Sequence, residues 1–173
     1  EQYGAGPGGW LAALNHPARS TATIAAADPN WHHVAVSYDK TAGKGWRFYL
    51  DGVESTAANG TTATCGAVST CTVASDCPQN PGVDPRYDSY QHFALGVALN
   101  STGANPGGYF GGVMDEARVW NRALTQSEIQ TNMWKQLTSG TGLIGRWGLN
   151  ENAGTVAGDS TTPAQNGTLS GAV

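Results

Sequence analysis

Hydrophobic residues recur at every second position in several stretches of this chain. WHHVAVSYD, residues 31–39, places His32, Val34, Val36 and Tyr38 on one face, the period of a half-buried β-strand. GWRFYLDGVEST, 45–56, repeats the pattern with Trp46, Phe48 and Leu50. It then reaches Asp51-Gly52, two residues that tolerate positive φ and close tight hairpins. QHFALGVALN, 91–100, aligns Phe93, Leu95, Val97 and Leu99. GGVMDEARVW, 111–120, sets Val113, Asp115, Ala117 and Val119 against Met114, Glu116, Arg118 and Trp120, and GLIGRWGLN, 142–150, predicts a last strand. One segment changes period: Thr125 and Glu128 have capping-box spacing, and Ile129, Met133, Trp134 and Leu137 share a helical face. The pattern predicts an all-β chain with one short helix over about 125–137.

Composition narrows the class. The 173 residues suffice for a single domain, 1–173, with a core of its own. Charged residues make up 13% and glycine supplies 24 positions, a turn-rich balance that suits secreted β-proteins. The net charge of −4 without a basic run predicts no nucleic-acid partner. No apolar run approaches the ~18–20 residues of a membrane span, so no membrane insertion is expected. Glu1 opens the chain without a signal peptide, and a mature or excised piece is expected.

Between the hairpin and the 91–100 segment lies a long insertion, 57–90, carrying Cys65, Cys71 and Cys77. A zinc site would want a shorter cysteine knuckle and a fourth ligand, neither of which is visible. One local disulfide stapling the loop is the expectation, with the third cysteine free or paired elsewhere. Asn59, Asn100 and Asn166 open Asn-x-Ser/Thr sequons. These features point to an extracellular or cell-surface address.

Several strings resemble the laminin-G-like, concanavalin-A-like jelly-roll family, its pentraxin-like branch especially. Trp31-His32-His33-Val34-Ala35 is similar to the family's first shared strand, and Tyr49-Leu50-Asp51-Gly52-Val53 to its hairpin. Asp115-Glu116, Arg118, Trp120-Asn121-Arg122 and Leu124 are similar to its strand and following helix. The resemblance covers about two thirds of the chain, in the family's order, and omits 57–90. It implies a two-sheet antiparallel jelly-roll sandwich. The family's opening strands have no counterpart after Glu1, which would leave an unpaired edge. Either that segment has been trimmed away, or another chain supplies the strand. The tail 155–173, TVAGDSTTPAQNGTLSGAV, would be donated head to tail into rings or filaments, or else would pair within its own sheet.

Asp115, an acid within an alternating stretch, admits three readings. It could pair with Arg118 or Arg122. The resemblance implies a structural calcium near it, with Asp159 and Asn166 of the AGDSTTPAQNG loop furnishing further oxygens. The catalytic reading is the weakest. Glucanases of this fold carry Glu-x-Asp-x-x-Glu on one strand, and no such string occurs, while adjacent Asp115 and Glu116 would point to opposite faces of a strand.

Trp10, Tyr87, Tyr90 and Tyr109 lie in Gly/Pro-rich loops, where they could stack on sugars or pack the loops themselves. The expected function is a non-catalytic extracellular recognition or structural module. It would contact a glycan or a neighbouring protein subunit, in adhesion or within a surface filament. The alternative is a carbohydrate-binding accessory domain of a secreted glycoside hydrolase.

Overall fold

The computed structural model describes residues 4–5, 9–10, 20–39, 45–55, 93–97 and 107–170. The chain forms two compact units, one of Glu1–Arg86 with Arg122–Lys135, the other of Tyr87–Asn121 with Gln136–Val173.

The first unit holds the short pair β1 (Gly4–Ala5) and β2 (Gly9–Trp10) and a three-stranded sheet. In that sheet β3 (Val34–Asp39), β4 (Gly45–Leu50) and β5 (Val53–Glu54) run antiparallel in sequence order. The register sets Val34 opposite Leu50, Val36 opposite Phe48 and Tyr38 opposite Trp46, so the two alternating patterns fall on one face of the hairpin. Asp51 and Gly52 close β4 onto β5 with φ of 50° and 74°, the paired left-handed turn that their sequence predicts.

Helix α1 (Gln126–Asn132) rests on that turn, where Gln126 and Gln130 both donate side-chain N–H groups to the Gly52 carbonyl, at 3.0 and 2.9 Å. A Cβ on Gly52 would come within 2.7 Å of Gln130 Cγ, so glycine serves both the turn and the helix contact. The capping box forms as its spacing predicts: Glu128 N donates to Thr125 Oγ1, and Thr125 N donates to Glu128 Oε2. Ile129 is buried, but the helix ends at Asn132, short of the predicted 137, and leaves Trp134 exposed with its ring edge against His33. Thr125→Ala is expected to lower stability by about 1 kcal/mol in urea unfolding, with Thr125→Ser retaining most of it.

The second unit pairs β6 (Ala117–Trp120) with β7 (Leu143–Trp147), and β8 (Val156–Ala157) with β9 (Gly167–Thr168), both antiparallel. A bridge between Trp147 and Asp159 links the β8–β9 hairpin to β7. Residues 156–168 of the tail thus pair within this unit.

Two predicted strands differ from what is observed. Residues 93–97 bend instead of extending, with Gly96 at φ of 73°. The alternation of 111–120 yields a strand only from Ala117, because Glu116 turns the chain at φ of 53°. Among the described residues, the buried apolar side chains are Tyr49, Ile129 and Ala157, matched by buried polar Ser55, Arg146 and Asp159. Val34 and Val36, on the predicted inner face, are 68% and 56% exposed.

Candidate functional site

A polar cluster of the second unit grows from the β6–β7 pairing. The register places Arg118 directly opposite Arg146, and like charges so placed repel. Glu116, just before β6, resolves this. Its carboxylate accepts Arg146 Nε at 3.1 Å, Arg146 Nη2 in a second, shorter bond, and Arg118 Nη2 at 3.2 Å. Both guanidinium groups are nearly enclosed, with 8% and 9% of the Arg146 and Arg118 side chains exposed. Burial pushes the Glu116 carboxyl up, and the two arginines outweigh it and hold it below the usual range. The acid that carries the ion pair is therefore Glu116. The expected pairing of Asp115 with Arg118 or Arg122 gives way to Glu116 with Arg118 and Glu128 with Arg122. Asp115 itself is exposed, and its Oδ1 accepts the N–H of Glu116 at 2.9 Å.

Asp159 and Asn166 meet within their loop. Asn166 Oδ1 accepts Asp159 N at 3.0 Å. Asp159 Oδ1 accepts the N–H groups of Arg146 and Thr161, at 2.9 and 2.8 Å. Its Oδ2 accepts Thr161 Oγ1 and Gln165 N, both at 2.9 Å. Burial raises this carboxyl, but the N–H groups of Arg146, Thr161 and Gln165 prevail and bring it down to about 2.

These donors take up the lone pairs of the carboxylate, which has about four acceptor sites. A calcium ligated by Asp159 does not fit this arrangement, since the cation would need the same lone pairs. Asp159 is an internal anion around which the backbone donors of the loop are organised.

Aromatic groups mark a second feature of this unit. Tyr109, Phe110 and Phe93 are 73%, 58% and 65% exposed. Phe110 N donates to the Gly96 carbonyl at 2.8 Å, tying the 109–112 loop to the 93–97 bends. Phe93 lies 5.9 Å from Trp147 ring to ring, and Trp147 Nε1 donates to the Gln165 carbonyl. Of the predicted sugar contacts, Tyr109 is thus displayed, Trp10 is placed by its backbone in β2, and Tyr87 and Tyr90 lie outside the described residues. Cys65, Cys71, Cys77, Asn59 and Asn100 lie outside them too, while Asn166 is exposed beside β9.

Sequence reasoning missed Phe93 and Phe110 as exposed groups. Phe93 sits in an alternating run that reads as half-buried strand, and only Gly96 signals the break. Comparison of the chain with protein-family models, curated proteins and solved structures found no match.

Proposed function

We propose that this chain is a non-catalytic extracellular recognition module that contacts glycans, or a neighbouring protein subunit, through the aromatic loops of its second unit. The supporting observation is the exposure of Tyr109, Phe110 and Phe93, with the Phe110 N–H tied to the Gly96 carbonyl: rings held in water have apolar area to offer a sugar face. The proposed frame is the laminin-G-like two-sheet jelly roll. In its support stand the antiparallel pairing throughout and an apolar face at Val34 and Val36 that calls for a second layer. The accessory domain of a secreted glycoside hydrolase is the narrower form of the same proposal, and binding confined to one hydrolysable polysaccharide would select it.

A glycan array probed with the whole chain is expected to give hits. The double variant Tyr109→Ala, Phe110→Ala should weaken the best of them about three- to tenfold with its circular dichroism unchanged. Binding that is indifferent to the double variant would defeat the aromatic assignment, and turnover of a β-glucan would defeat the non-catalytic one.

A further inference from the structure

In the first unit, residues 20–33 form a strap fastened at both ends. Its first end is held by neutral groups: Thr21 N and Oγ1 donate to the Ser55 carbonyl at 2.6 and 3.0 Å, and Ser20 Oγ lies 2.6 Å from Ser55 Oγ. Its second end is held at the Asp51–Gly52 turn. His33 N donates to Asp51 Oδ1 at 2.8 Å, and His32 Nδ1 lies 2.8 Å from Asp51 Oδ2. Between the fastenings the strap is exposed from Thr23 to Trp31.

The other nitrogen of His32 also faces a carboxylate. Nε2 is shielded from solvent and lies 3.2 Å from Asp28 Oδ2, off the hydrogen-bond line. A neutral imidazole has one N–H, so one of its nitrogens would present a lone pair to an anionic oxygen; the imidazolium presents a proton to both. The two acids stand on opposite sides of the ring and do not converge on one point, which sets the trio apart from a metal site.

We propose that His32 is a proton-operated clasp which, when protonated, fastens the second end of the strap by bridging Asp28 and Asp51. The charges acting on His32 come from Asp51 and Asp28, and His33 acts in turn on Asp51. Helix α1 presents only the neutral amides of Gln126 and Gln130 to the turn carbonyl. The Asp51 contact foremost, then Asp28, raises the imidazole above its ordinary 6.5 against the effect of burial. Asp51 is lowered chiefly by His32, and Asp28 chiefly by the N–H groups of Asn30.

A raised histidine stabilises the folded state fully below its unfolded value of 6.5, and that contribution disappears as pH rises through the folded midpoint above it. The clasp is thus closed in mildly acidic medium and loosened in alkaline medium. The Ser55 end carries no titrating group and stays fastened.

The test is hydrogen exchange of the intact chain, corrected for intrinsic rates, from about pH 5 to about pH 9, together with NMR titration of the histidine rings. Protection around 28–33 should fall severalfold across this range, while the Thr21 amide keeps its protection. His32→Gln should abolish the pH dependence, and Asp28→Asn should lower the His32 midpoint without disturbing the turn. A His32 midpoint at or below 6.5 in the wild-type chain would overturn the proposal, even if His32→Gln failed to fold. So would protection around 28–33 that ignores pH.

Discussion

Glu116→Ala is expected to destabilise the second unit by about 2–4 kcal/mol, the cost of leaving an enclosed charge without its counter-ion, discounted for a carboxylate at the edge. The carboxylate is 23% exposed, whereas the Arg146 side chain it neutralises is only 8% exposed. Without it, Arg146 keeps a 3.5 Å contact from Nη1 to Ser160 Oγ, and faces Arg118 across the sheet. Glu116→Gln keeps a hydrogen-bond acceptor without the charge and should fall between wild type and alanine. Urea unfolding monitored by tryptophan fluorescence measures both. Because Glu116 titrates below its usual range, its contribution is present above the unfolded value of 4.5 and lost as pH falls through the folded one. Glu116→Gln should therefore converge with wild type in acid, with Glu116→Ala staying below both. A Glu116→Ala protein as stable as wild type at neutral pH would show that the arginines are satisfied by other means.

Asp159→Ala is the second large effect, about 2–4 kcal/mol, since it removes a charged acceptor from several backbone donors at once. The N–H of Arg146 is the most damaging of these to orphan, because it lies in a buried residue of β7. Asp159→Asn should recover little. One of its two termini becomes an NH2 facing the N–H donors now aimed at the carboxylate. The stabilisation from Asp159 is present above the unfolded value of 3.8 and is lost as pH falls through about 2, so wild type and variant differ at neutral pH and become alike in strong acid. Hydrogen exchange of the 143–170 segment should rise in the variant while α1 stays protected. Equal loss in both units would contradict a local role.

The hairpin and the helix start were legible because each depends on neighbours in sequence. Asp51-Gly52 selects its turn through backbone sterics alone, and Thr125 reaches Glu128 within one helical turn. The strand ends were less legible. Alternation continues through 111–116 in the letters, but a single residue at positive φ, Glu116, stops the extended chain, and no side-chain pattern announces that. Within the 91–100 run, the described residues 93–97 depart from a strand for a similar reason at Gly96.

What the sequence by itself determined is the local grammar: strand-rich antiparallel pairing, one capped helix, and a tight turn at a two-residue signal. Which acid would matter was decided only in three dimensions. Arg118 and Arg146 stand 28 positions apart, and nothing in their letters requires a shared carboxylate until the β6–β7 register sets them opposite each other. The same holds for Asp159, whose donors come from β7 and from its own loop, and for His32, caught between acids on two different segments. Electrostatic partnership depends on distance and enclosure, and a linear sequence encodes neither until the chain has folded back on itself.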